Sequence, residues 1–144
     1  MEDLLAGDLD YMNQYMNQIT TKTFSCFDVG KNPSEHSEPE RFYHGFVLGL
    51  IVDLANDYRI TSNRESGLGR YDIMMEPLKP DNPAFVLEFK LRRTSERDLS
   101  ETVKNALAQI DAKRYDTELI ARGIEKENIR HYGFAFDGKT VLIG

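Results

Sequence analysis

Ala84-Phe85-Val86-Leu87-Glu88-Phe89-Lys90-Leu91 is an apolar run of eight residues interrupted by two charges. Its length and composition predict a nearly continuous apolar, core-like strand. Side chains alternate along a strand, so Glu88 and Lys90 share one face, while Leu87, Phe89 and Leu91 point to the other. Ionic groups on a core strand are costly unless they are paired or hold a metal. For a bare Glu-x-Lys, a buried ion pair is the plainer reading. The rest of the segment is apolar, which makes these two charges worth following outward.

Upstream, Ser66-Gly67-Leu68-Gly69 reads as a turn and Arg70-Tyr71-Asp72-Ile73-Met74-Met75 as an alternating strand. Pairing of that strand with residues 84–91 brings Asp72 alongside Glu88. Two adjacent carboxylates repel, and one takes up a proton unless a cation holds both. A hard divalent ion such as Mg²⁺ suits a few carboxylate oxygens completed by water and phosphate. Lys90 beside it can orient or deprotonate a water, or stabilise charge on a phosphate in transfer.

Leu4 to Ile19 carries apolar residues at helical spacing and predicts a packing helix. Asp28 to Pro39, rich in Gly, Pro and Ser, predicts a loop. Ser37-Glu38-Pro39-Glu40 then opens a largely apolar helix to about Asn56, with Ser37 placed to cap it. Tyr58 to Ser62 predicts a strand. A second helix is expected over Arg97 to Arg114, with Leu99, Val103, Ala106, Leu107 and Ile110 as its core stripe. A shorter helix, Thr117 to Arg122, stops at Gly123. Arg130 to Phe136 and Thr140 to Ile143 form the last two strands, with Asp137-Gly138 turning between them. The order is helix, three strands, helix, strands, which predicts an α/β domain.

The 144 residues suit one domain with a real core. No apolar stretch is long enough to span a membrane. Glu2 and Asp3 replace the basic start of a secretory signal, and Cys26 is the only cysteine. A cytoplasmic location is therefore expected. The net charge of −6 argues against a broad phosphate-coating surface, though not against a small nucleic-acid footprint. Arg70, Arg92, Arg93, Lys104 and Lys113 are the basic candidates around the site. Neither a zinc spacing nor a Ser-His-Asp elbow occurs.

Gly69-Arg70-Tyr71-Asp72, then Phe85-Val86-Leu87-Glu88-Phe89-Lys90, then Gln109-Ile110-Asp111-Ala112-Lys113-Arg114-Tyr115 resembles, in order and spacing, the PD-(D/E)XK nuclease superfamily. The likeness has a RecB-like flavour and runs closest to the bacterial nuclease-like domain that often follows an AAA-ATPase-like region. It covers about Glu38 to Ile143, which leaves residues 1–37 as an N-terminal helix and loop that pack as an extension on a domain of 38–144. The resemblance implies a restriction-endonuclease-like fold, a mixed twisted β-sheet flanked by helices with an α-β-β-β-α-β core.

It further implies an Mg²⁺- or Mn²⁺-dependent nuclease that hydrolyses phosphodiester bonds in DNA. Asp72, Glu88, Lys90 and Gln109 would be catalytic. Asp72, Glu88 and the Phe89 carbonyl would hold the metal, with Glu40 acting through water and His44 as a further ligand. Arg70, Lys113 and Tyr115 would lie against nucleic acid. The alternative is a catalytically silent nuclease-like module that binds a protein or nucleic-acid partner, an AAA-ATPase-like region among the candidates.

Overall fold

The structure, a computed structural model, describes residues 2–23, 37–62, 65–70 and 72–144. Helices α1 (Glu2–Ala6) and α2 (Leu9–Thr23) open the chain, followed by α3 (Ser37–Ile51), which tightens into a 3₁₀ turn over Val52–Asn56. Strand β1 (Tyr58–Ser62) is followed by a small hairpin of β2 (Glu65–Ser66) and β3 (Gly69–Arg70). Then come β4 (Ile73–Pro77) and β5 (Ala84–Leu91). Helices α4 (Leu99–Lys113) and α5 (Thr117–Ala121) lead to β6 (Ile129–Asp137) and β7 (Thr140–Ile143).

Five strands form one mixed sheet in the order β1-β4-β5-β6-β7. β5 and β6 run parallel, and every other neighbouring pair is antiparallel. Parallel neighbours need a long crossover, which α4 and α5 supply. Because β5 is central and covered on both faces, residues 84–89 are all buried. Phe85, Leu87 and Phe89 pack with Tyr43, Val47 and Ile51 of α3 and with Met12 and Met16 of α2. Ala84 and Val86 face the other way, into a smaller core with Ile110, Tyr115 and Leu119. On that face α4 crosses β6 at Gly133, where a Cβ would stand 3.0 Å from both the Ala106 Cβ and the Val103 carbonyl oxygen. The absent side chain lets α4 come close to β6 and so to its neighbour β5, which carries the polar pair.

Strand β7 is an edge, and exposed edges template unwanted pairing. Helix α2 covers it with side-chain amides. Asn13 donates to the Ile143 carbonyl at 2.9 Å and accepts from the Ile143 N–H at 2.7 Å. Asn17, one turn on, does the same with Val141 at 2.7 and 2.8 Å, and the Thr20 hydroxyl donates to the Lys139 carbonyl.

The elements match the sequence expectation except at some boundaries. The first helix is two, broken at Gly7. The long helix after residue 37 ends as an α-helix at Ile51 and covers Val52–Asn56 only as a 3₁₀ turn. Of the expected loop, residues 28–36 lie outside the described residues, as does any cap from the Ser37 side chain; Ser37–Pro39 are helical.

The expected strand from Arg70 to Met75 is divided. Its first residue belongs to the β2–β3 hairpin, which docks on the C-terminal end of α4 through a 2.7 Å bond from the Leu68 N–H to the Lys113 carbonyl. Gly67 makes that docking possible. Its φ is +59°, and a Cβ there would lie 2.3 Å from the carbonyl oxygens of both Lys113 and Arg114. Strand β4 of the main sheet therefore begins only at Ile73, immediately after Asp72.

Candidate active site

The β4–β5 register pairs Ile73 with Leu87, so Asp72 stands where the next partner, Glu88, begins. Asp72 Oδ2 accepts a 2.8 Å hydrogen bond from the Phe89 N–H. That bond fixes one carboxylate against the backbone of the strand that carries the other. Burial pushes the Asp72 carboxyl above its usual range, against the opposing pull of the Phe89 N–H, His44 and Lys90. Asp72 thus feels charges from His44 on α3 and from Lys90 on the neighbouring strand β5.

Glu88 is 3% exposed and turns toward α4. There Gln109 bridges the pair that the sequence singles out. Its Oε1 accepts from Lys90 Nζ at 2.6 Å, and its Nε2 donates to Glu88 Oε1 and, at 3.2 Å, to the Tyr115 hydroxyl. Lys90 Nζ and Glu88 Oε1 are themselves 4.0 Å apart. One amide side chain therefore holds a lysine ammonium and a buried carboxylate in fixed relation, and such charge-assisted bonds are the stronger ones.

The donors around Asp72 and Glu88 fit a hard divalent cation. Two carboxylates and the Phe89 backbone offer oxygen ligands, and Mg²⁺ takes one or two protein carboxylates with water and substrate phosphate filling the rest. Among the described residues no three His, Cys, Asp or Glu side chains gather into a metal-binding group. His44 sits on the α3 side, its ring centre 5.6 Å from that of Phe89.

Residues 38–144 match the family model of the PD-(D/E)XK nuclease superfamily. The chain belongs to that superfamily. Its mixed five-stranded sheet and flanking helices are the restriction-endonuclease-like arrangement expected of a PD-(D/E)XK nuclease. Comparison with curated proteins and with solved structures gives no match.

Asp72, Glu88, Lys90 and Gln109 of this PD-(D/E)XK chain thus come together, linked through hydrogen bonds from β5 and α4. Tyr115 is 1% exposed and stands behind Gln109 in the core, a buttress and not a contact surface. Lys113 is exposed on the last turn of α4, beside the docked hairpin. Glu40 and Arg70 lie on described elements, α3 and β3, but their side chains are outside the described residues.

Sequence reading missed Glu96. It is 8% exposed, and its carboxylate accepts from the Arg93 N–H, the Thr102 hydroxyl and the Asn105 amide at 2.9, 2.7 and 2.6 Å. Burial pushes this carboxyl up, but the three donors and the Arg93 charge outweigh it and leave the group below its usual range. The signal was present in Thr102, Asn105 and Gln109, a polar row at helical spacing beside the apolar stripe.

Proposed function

We propose that this chain is an Mg²⁺-dependent nuclease, with Mn²⁺ able to substitute, that hydrolyses phosphodiester bonds in DNA. The observation that carries the reading is the juxtaposition of Asp72 and Glu88 with a lysine held beside them by Gln109. Asp72 and Glu88 would bind the cation, with the Phe89 carbonyl as a further ligand and Glu40 and His44 as outer candidates. When bound, the ion supplies Lewis acidity at phosphorus and makes a water easier to deprotonate. Lys90 would orient the attacking water and offset charge on the phosphate oxygens. Gln109 keeps its ammonium aimed, and Tyr115 keeps Gln109 in place.

Residues 1–37 are read as a packing extension of the domain at 38–144; the amide contacts of α2 along β7 support this. No helix of the described residues is long and apolar enough to cross a membrane.

The test is cleavage of labelled single- and double-stranded DNA with Mg²⁺, Mn²⁺ or chelator. Positioned proton-transfer groups typically contribute about 10²–10⁴ in rate, so Lys90→Ala should fall by that order and Asp72→Ala at least as far. Metal-dependent cleavage that survives both substitutions sinks the assignment. Binding of DNA without any cleavage would favour the silent-module reading.

A further inference from the structure

The loop that joins β5 to α4 is held at both ends, and apart from Asp98, which caps α4 by accepting from the Glu101 N–H, the side chains it leaves exposed are hydrogen-bond donors. Arg92 anchors it to β6: its N–H donates to the Phe136 carbonyl, its Nε meets Asp137 at 2.7 Å, and its Nη1 donates to the Glu96 carbonyl. Glu96 anchors it to α4 through Thr102 and Asn105, and to its own backbone through the Arg93 N–H. Asn105 lies one helical turn before Gln109, so the loop and the Lys90–Glu88 pair are tied to successive turns of the same helix.

Arg93, Thr94 and Ser95 between the anchors, and Arg97 just beyond Glu96, are exposed. Two guanidiniums and two hydroxyls are the donors that nucleic-acid backbones attract. Arg97 lies 3.5 Å from Glu101, an exposed pair of the kind worth little in water. This is a local exception in a chain of net charge −6.

We propose that residues 93–97 form a preset phosphate-binding crest for the strand being cut, with Arg93 as its principal contact and Glu96 as the positioning residue that holds it. The proposal rests on the nuclease reading for its substrate class. Arg93 stands three positions after Lys90, roughly 10 Å along an extended chain, which is about three nucleotides at the rise of one DNA strand. The crest therefore grips backbone phosphates a few steps from the one at Lys90. Its fixed backbone means that the loop itself need not be ordered at the moment of binding.

The test is fluorescence anisotropy with a labelled DNA oligonucleotide across a salt series, with Mg²⁺ cleavage kinetics alongside. Arg93→Ala should weaken binding about tenfold and make the slope of log K against log salt shallower by about 0.9, the loss of one phosphate contact. Its KM should rise with a much smaller change in kcat. Glu96→Ala should reproduce the KM effect through a loosened loop, and Glu96→Gln should recover most of it.

Lys79→Ala removes the same charge beside Asp57, away from the site, and should leave affinity as it was. Arg93 is exposed, so its variant remains informative even where Glu96→Ala fails to fold. Wild-type affinity and slope in Arg93→Ala, with cleavage intact, overturn the crest and leave the nuclease reading standing. Binding that needs Arg93 without any cleavage supports the crest and sinks hydrolysis. A chain that binds no oligonucleotide at low salt overturns the crest.

Discussion

Replacing Gln109 with Leu removes its amide while nearly conserving volume, so the change reads the polar bridge and not a cavity. The bridge has three bonds: from Lys90 at 2.6 Å, to Glu88, and to the Tyr115 hydroxyl at 3.2 Å. Hydrogen bonds to charged groups are worth about 1.5–3 kcal/mol each and neutral ones about 0.5–1.5 kcal/mol, so the gross loss is roughly 4–7 kcal/mol. Part returns. Lys90 is 4.0 Å from Glu88, close enough for the ammonium to move in and pair with the buried carboxylate. A closer pair recovers about 2–3 kcal/mol of this, with Glu88 still largely desolvated.

The expected net loss is therefore about 2–4 kcal/mol, a large share of the roughly 5–15 kcal/mol that holds a domain together. Urea unfolding followed by circular dichroism at pH 7 gives the number, read as a fall in midpoint at constant m. A Tyr115→Phe companion should take only about 1 kcal/mol from the bridge, because it deletes the one neutral bond of the three. A Gln109→Leu loss below about 0.5 kcal/mol would refute the bridge, since a buried carboxylate cannot lose its donor so cheaply.

Two further perturbations follow from the same contacts. The folded Glu96 carboxyl is held below its unfolded pKa, so its stabilisation is full above that unfolded value and is lost as pH falls toward the folded one. Glu96→Gln should therefore flatten the decline of stability below about pH 4.5, as followed by thermal unfolding across a pH series; a decline as steep as wild type would contradict this. Replacing Asn13 and Asn17 together with Ala strips four hydrogen bonds from the β7 edge and should cost about 2–4 kcal/mol. An uncovered edge should also make the chain self-associate with concentration, which sedimentation velocity would detect.

The strand at residues 84–91 was legible to the residue, because an apolar octet bounded by turn residues has few other fates. Alternation along it placed Glu88 and Lys90 on one face correctly, and pairing with the preceding strand brought Asp72 beside them. The division at Arg70 was hidden, since docking of Gly67 on the carbonyls of α4 is a tertiary contact with no local signature. Glu96 was hidden for a related reason: its three donors come from its own loop and from a helix whose position local patterns do not give. Asn13 and Asn17 looked like ordinary helix polars, because the strand edge that needs them lies over a hundred positions away. Gln109 stood out only through the family likeness, and its bonds to Lys90 and Glu88 then gave it a physical role.

The central claim is that Asp72 and Glu88 together hold a divalent cation for phosphodiester hydrolysis. Anomalous diffraction from crystals soaked in Mn²⁺ tests it most directly. A peak is expected between the two carboxylates, at roughly 2.0–2.3 Å from an oxygen of each, that disappears in Asp72→Ala. A saturating soak with no peak at that position, or one held only by groups elsewhere on the surface, would contradict it.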